Sequence, residues 1–334
     1  MSGVKVSRSL LELPKVHVHA HLDGCYPLDA VQQLAARHDA GFEVPESFAT
    51  VWDFFDAYGT VPALVRDLDD LRALCRALVL ADAALGVRYL EPAIEPQLYA
   101  PRLGSLEQVT GVIIDALQEA AVEAGIEVGA NLTVNTDQDE ELAAQLARVA
   151  ASFAGHGVTA LGTAGFVEPA GLKRFATVAD IGRDAGLQIV SHAGQTGGPD
   201  SIREALNDLG ATRISHGVMA VLDSELVSRL ADEHIVLDVC PVSNVRLGVS
   251  SSLEQHEARA LVAAGVRVTL NADDSLWFGN SVLDQYRIAR DVWGMDDATL
   301  AAISRTGLLV PGMSERTRSE YEVSLAAWFT AAPG

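Results

Sequence analysis

Val16-His17-Val18-His19-Ala20-His21-Leu22-Asp23-Gly24 alternates small or branched apolar residues with imidazoles and then stops at an acid and a glycine. Alternation of this kind marks a β-strand, because successive side chains leave on opposite faces. It places His17, His19 and His21 on one face, at successive depths, as the strand nears its C-terminal end. Two neutral imidazoles on one strand face begin a metal site that needs a third ligand and a carboxylate from elsewhere. An apolar strand has no structural use for three imidazoles, so this stretch points to a metal.

Outward from it, short β-rich runs alternate with longer Ala- and Leu-rich amphipathic segments. Candidate strands are Val16–Leu22, Val87–Ala93, Ile126–Asn135, Thr159–Thr163, Leu187–His192, Arg213–His216, Ile235–Cys240 and Arg267–Asn271. Helical periodicity fills Asp137–Phe153, Leu172–Ala185, Ser201–Leu209, Ser224–Glu233 and Leu253–Ala264, with Gly125, Gly186 and Gly265 placed to end helices. Strands alternating with helices argue for a parallel sheet. Eight of them close an α/β barrel of the (β/α)8 TIM type, with an open doubly wound sheet as the alternative. No glycine-rich phosphate loop follows the first strand, which weakens the nucleotide-binding form of that alternative. Asp29–Ala84 holds enough helix for a cap over the barrel mouth, with Trp52, Phe54, Phe55, Tyr58 and Val61 as its apolar side chains. From Ser281 onward the chain reads as helices alone. Nothing resembling a linker interrupts residues 1–334, which are read as a single metal-dependent hydrolase domain.

Hydrophobic residues make up 49% of the chain and charged ones 21%, enough to bury a large core. Against 45 Asp and Glu stand 24 Lys and Arg, a net charge of −21 with no basic run to offset it, which argues against nucleic acid as a partner. No stretch has the length and apolarity of a membrane span, and the N-terminus has no signal-peptide core. Cys25, Cys75 and Cys240 are too scattered for a disulfide framework or zinc knuckle. The expectation is a reduced, soluble, cytoplasmic protein acting on a small-molecule substrate. No feature of the chain sets an oligomeric state.

Active groups in such barrels sit at the C-terminal ends of strands. Three further strand ends carry such groups: Ser191-His192-Ala193-Gly194-Gln195, Ser215-His216-Gly217 and Asn271-Ala272-Asp273-Asp274. Two adjacent acids after an apolar strand are costly to bury without a cation. The fourth strand, Ala160-Leu161-Gly162-Thr163-Ala164-Gly165, offers neither Lys nor carboxylate to bridge a second metal, so the site reads as mononuclear.

In this order, PKVHVHAHLDG (Pro14–Gly24), the Phe54-Phe55 helix, HAG (His192–Gly194), SHG (Ser215–Gly217), CPVSNVRLG (Cys240–Gly248) and NADDSLWFG (Asn271–Gly279) resemble the adenosine deaminase family of metal-dependent amidohydrolases. The resemblance covers nearly the whole chain. It implies one Zn(2+) per chain, held by His19, His21, His192 and Asp273. His216 would be the base and electrostatic partner of the metal-bound water, with Asp273 orienting it. Asp274 would hold a substrate ring nitrogen, Gly165 would meet the ring through its backbone, and Asp23 would face a ribose hydroxyl. Bound zinc lowers the pKa of water from ~15.7 towards ~7. The hydroxide so formed would attack an sp2 carbon bearing an amino group and expel ammonia.

Gln195 departs from the family motif HAGE, whose Glu protonates the ring nitrogen beside the attacked carbon. An amide cannot deliver that proton, and general acid catalysis is worth ~10²–10⁴-fold. Other departures fall nearby: His17 and Gly162 replace acids, Ser275 a Pro and Ala93 an Arg. Three readings follow. The first is a zinc-dependent deaminase or amidohydrolase of a modified purine-like nucleoside or related heterocycle, in which Gln195 binds a carbonyl or N–H and His17 or a water supplies the proton. The second is a slow adenosine-type deaminase, and the third a non-catalytic zinc-containing binding protein. The retained His216 favours the first two, because a mere binder needs no base beside its metal.

Overall fold

Runs of Val, Leu, Ile and Ala too short for helices become the staves of a barrel. The computed structural model describes residues 8–48, 50–166 and 170–331. Its strands are β1 (Lys15–His17), β2 (Val87–Leu90, resuming at Ala93–Ile94), β3 (Glu127–Val128, resuming at Ala130–Asn135), β4 (Val158–Ala164), β5 (Gln188–Ala193), β6 (Arg213–His216), β7 (Val236–Val239) and β8 (Arg267–Leu270). All neighbours pair in parallel, in chain order from β1 to β8. A parallel bridge between Ala20 and Asp273 closes β8 onto β1. The open sheet is thereby excluded, and all eight expected strands are present. β2 pauses at Pro92, which lacks an N–H for the ladder. Its carbonyl still accepts from Asn131 N, so the wall stays continuous.

The first strand is shorter than the alternation suggested. Beyond His17 the amides of Val18 and His19 both donate to one side-chain oxygen, Asn271 Oδ1, at 2.9 and 3.1 Å. Backbone pairing resumes with Asp273 N to His19 O and His21 N to Asp273 O. A side-chain amide thus replaces a backbone acceptor where the barrel closes, and the regular two-residue alternation breaks there.

Helices surround the barrel. Leu28–Arg37, Val51–Tyr58, Thr60–Leu64 and Leu68–Ala84 fill the excursion between β1 and β2. Phe54 is buried and stacks on Phe278 at 5.3 Å, and the Tyr58 ring meets His21 edge-on at 6.5 Å, so the cap reaches the barrel mouth. Trp52 faces solvent. At the C-terminus Val282–Asp291, Asp297–Thr306 and Glu315–Thr330 pack back on the barrel. Ser304 Oγ and Tyr321 OH both donate to Pro14 O, at 2.7 and 2.9 Å, tying these helices to the entry of β1. Among the described residues no helix is long and apolar enough to cross a membrane.

Deep in the barrel lies a buried ion cluster. Arg213 on β6 meets Glu91 beside β2 at 2.5 Å and Asp238 on β7 at 2.6 Å, and donates to Val18 O. Thr269 donates to Asp238, while Tyr89 and Thr159 donate to Glu91. Removing one member of such a cluster strands the others in a medium that cannot solvate them. Arg213→Ala is therefore expected to cost about 3–5 kcal/mol, read as a lower urea midpoint. An unchanged midpoint would show that the cluster does not hold the walls together.

Candidate functional site

The expected ligands converge. Nitrogen and oxygen atoms of His19, His21, His192 and Asp273 all lie within 4.8 Å of one another, and all four residues are buried. Asp273 Oδ1 is 3.0 Å from His19 Nε2 and 3.3 Å from His21 Nε2, and the latter is 3.3 Å from His192 Nε2. Four N and O atoms around one zinc at ~2.0–2.1 Å would stand roughly 3.4 Å apart. His19 Nε2 and Asp273 Oδ1 make no hydrogen bond despite their closeness, and neither has another hydrogen-bond partner. These atoms are aimed at a shared point, and the donor set suits a divalent cation.

Backbone carbonyls set the tautomers. His19 Nδ1 lies 2.9 Å from Asp238 O and His192 Nδ1 lies 2.7 Å from Thr163 O, so each donates from Nδ1 and keeps its Nε2 lone pair for the metal. Burial, with His19, His21 and His216 around it, holds His192 well below its usual pKa. Burial also opposes charge on His21, but Asp274 and Asp273 outweigh it and lift its pKa to about 10. Negative charge here demands positive charge. The two acids diverge: against burial, His19 and His216 hold Asp273 well below the usual carboxylate range. Burial and the adjoining Asp273 push Asp274 well above it, towards the neutral acid.

His216 is fixed by a relay. The amide of Ala258 donates to His256 Nδ1 at 3.1 Å, which leaves the His256 proton on Nε2. That nitrogen faces Asn244 Oδ1 at 3.2 Å, and Asn244 Nδ2 donates to His216 Nδ1 at 3.1 Å. The proton of neutral His216 therefore sits on Nε2, 3.8 Å from Asp273 Oδ2. Burial, with His19 close by, lowers the His216 pKa to about 3 and keeps the ring neutral. An imidazole in this state donates a hydrogen bond and does not accept a proton at Nε2. His216 and Asp273 both adopt left-handed backbone, with φ of 68° and 65°, a conformation costing of order 1–3 kcal/mol that concentrates at functional sites.

Glycines make room at two points. A Cβ on Gly24 would lie 1.8 Å from Asp274 Oδ1, so the β1 loop can seat that carboxyl only without a side chain. Gly165, at φ +87°, leaves β4 against Asn135 where a Cβ would clash at 2.3 Å. Gln195 is half-buried on the loop after β5, and its amide hydrogen-bonds no described residue.

A second set of four, His19, His216, Cys240 and Asp273, also lies within 4.8 Å. Burial, with Asp273 and Asp238 nearby, pushes the Cys240 thiol well above its usual pKa. The His216 lone pair is turned away from the cluster. Both facts favour the first set. Cys25 is buried and donates to Asp273 O at 2.8 Å, supporting the left-handed turn.

The family model for adenosine deaminase matches residues 14–321. The chain belongs to the adenosine deaminase family. It is 33% identical to a putative adenosine/adenine deaminase of Streptomyces coelicolor, over 97% of this chain and 99% of that one. With an adenine deaminase of a Chelativorans species it shares 36% identity, over 92% and 96%. The crystal structure of adenine deaminase from Arthrobacter aurescens superposes with a TM-score of 0.87 at 25% identity, covering 95% of this chain and 99% of that one. The adenosine deaminase family is metal-dependent, and its members are hydrolytic deaminases acting on C–N bonds, as is this chain.

Two expectations for this adenosine deaminase family member are corrected. His216, expected as the base, is set by Asn244 to donate from Nε2. His17 does not join the cluster. Its Nδ1 is 2.7 Å from Asp82 Oδ2 on helix Leu68–Ala84, and its Nε2 accepts from Ala272 N at 3.1 Å. Both nitrogens are committed, so His17 anchors the β1–β8 seam and has none left for a substrate. The break in alternation at Val18 and His19 is the reason. Sequence reasoning also passed over Glu95, Tyr99 and the Asn244–His256 relay. Glu95 was findable, since it follows β2 at the same level where the other strands carry their functional groups.

In zinc-loaded protein labelled with 15N-histidine, His216 is expected to carry its proton on Nε2, and Asn244→Leu to yield a mixture of tautomers. An Nδ1-protonated His216 in the wild type would contradict the relay.

Proposed function

We propose that this chain is a zinc-dependent hydrolase that deaminates an amino-bearing nitrogen heterocycle, and that plain adenosine is not its substrate. The observation that carries the first half is the convergence of three imidazoles and Asp273 on one point, with two of their atoms buried and unpartnered. Three nitrogens and one carboxylate suit zinc. Zinc, when bound, makes water acidic enough to serve as a nucleophile at neutral pH.

The residues then divide the work. His216 Nε2–H and Asp273 Oδ2 face the same gap. The imidazole donates to the attacking oxygen and the low-pKa carboxylate accepts from it, which orients the oxygen's lone pair towards the substrate carbon. Asp274, seated against Gly24, donates to a ring nitrogen. The Gly165 backbone, Asp23 and the apolar cap around Tyr58 supply the remaining walls. As water adds to the carbon and the amine leaves as ammonia, the ring nitrogen beside that carbon must gain a proton. Gln195 stands where that proton would come from, and an amide has none to give. It suits instead a ring edge that already carries a carbonyl or N–H, with which an amide can pair.

Wild type and Gln195→Glu should be compared in an ammonia-release screen over aminopurines, aminopyrimidines and their nucleosides, alongside metal analysis. The expected result is about one zinc per chain, slow wild-type turnover of adenine-type rings and a gain of ~10²–10⁴-fold in Gln195→Glu. Equal rates in the two proteins would overturn the reading of position 195.

A further inference from the structure

One buried carboxyl at the barrel mouth has no role in the chemistry above. Glu95 follows β2 and is 4% exposed. Among the described residues it forms no ion pair, and its one side-chain hydrogen bond, from Gln97 Nε2, is long at 3.5 Å. Strand register aims it inward. His21 bridges to Ala93 in parallel, paired residues of parallel strands share a face, and Glu95 lies two residues further on, one step closer to the opening.

Its place around the ring matters more than its depth. In a closed barrel of eight strands β2 stands opposite β6, four strands away either way round, and β6 ends in His216. A flat heterocycle whose reacting carbon sits beside His216 and Asp273 therefore turns its opposite edge towards β2. Gln195, on the loop after β5 and next to β6, faces the near edge. Glu95 is thus in the wrong place to replace the missing proton donor and in the right place to read the far edge.

We propose that Glu95 accepts a hydrogen bond from a ring N–H on that far edge, so that the enzyme takes a free heterocyclic base and excludes the same base carrying a sugar there. The assignment deepens the deaminase reading and rests on it for the orientation of the ring. Asp23, the residue expected to meet a ribose hydroxyl, supports it. Its side chain is fully buried, Tyr99 OH donates to Oδ1, and Oδ2 has no partner. Tyr26 OH, 3.3 Å from Tyr99 OH, backs the contact. The wall that would receive a sugar is closed by Tyr99 and occupied by carboxyls. No Arg or Lys is ion-paired with Glu95, Asp23 or Asp274 among the described residues, so a phosphate or carboxylate on the substrate would find no paired cation on this wall.

The test measures binding separately from turnover. Zinc-loaded wild type, Glu95→Ser and Glu95→Gln are titrated calorimetrically with hypoxanthine and inosine, and ammonia release is followed from adenine and adenosine. Wild type is expected to favour the base by ~100-fold or more. Glu95→Ser, which opens space and removes the acceptor, should weaken the base at least about tenfold and admit the nucleoside, collapsing the ratio. Glu95→Gln keeps the bulk, so the nucleoside should stay excluded. A wild type that binds inosine as well as hypoxanthine, a Glu95→Ser ratio equal to wild type in folded, zinc-loaded protein, or binding of neither ligand overturns the assignment. Ammonia released from adenosine as fast as from adenine sinks it while leaving the deaminase reading intact. A ratio that depends on Glu95, with no ammonia released from any aminopurine, aminopyrimidine or nucleoside, leaves the assignment standing and sinks the deaminase reading.

Discussion

Two adjacent carboxylates at the end of β8 are taken out of water, and the whole site is organised around what that requires. Asp273 and Asp274 have no Arg or Lys partner among the described residues and sit within reach of four imidazoles. Burying such charge is expensive unless it is matched. The fold resolves the problem unequally: imidazoles favour the ionised form of Asp273, where it could bind a cation, while Asp274 is pushed towards the neutral acid. Two chemically identical residues are pushed in opposite directions through position alone, which is how environments divide labour between paired carboxyls.

The barrel supplies the rigidity this needs. Asp273 turns through a left-handed conformation, yet its amide and carbonyl are both spent on β1 and Cys25 supports the same carbonyl. His216 is strained in the same sense and is held by Asn244 from behind. Beneath them the Arg213 cluster joins β2, β4, β6, β7 and β8, and the Asp238 that pairs with Arg213 also lends its carbonyl to His19. Structural charge and catalytic charge are thus stacked in successive layers and share a residue. Strain at the top is sustained by closely packed, ion-paired layers below.

Much of this was legible in the residues. Histidines and acids at the ends of otherwise apolar strands are costly there, and that cost is what singled out His19, His21, His192, His216 and Asp273. The eight strands were readable because a run of branched residues ending in glycine or an acid permits few alternatives. His17 was misplaced because the irregularity after it depends on the Asn271 side chain, distant in sequence and adjacent only in the closed barrel. Glu95, lying between Ile94 and Pro96, could have been found from its place just after β2, but its burial shows only in the folded chain. The relay to His216 escaped for the same reason. CPVSN was noticed as a motif, but the partner that gives Asn244 its role is His256, which comes to it only through the turn after residue 248.

X-ray absorption at the zinc edge of the metal-loaded chain tests the central claim most directly. Three imidazoles and one carboxylate predict a first shell of nitrogen and oxygen alone at ~2.0–2.1 Å, with the outer-shell scattering of imidazole rings. A sulfur neighbour at ~2.3 Å would place Cys240 on the metal in place of His21 and His192. A chain that takes up no metal at all would contradict the account outright.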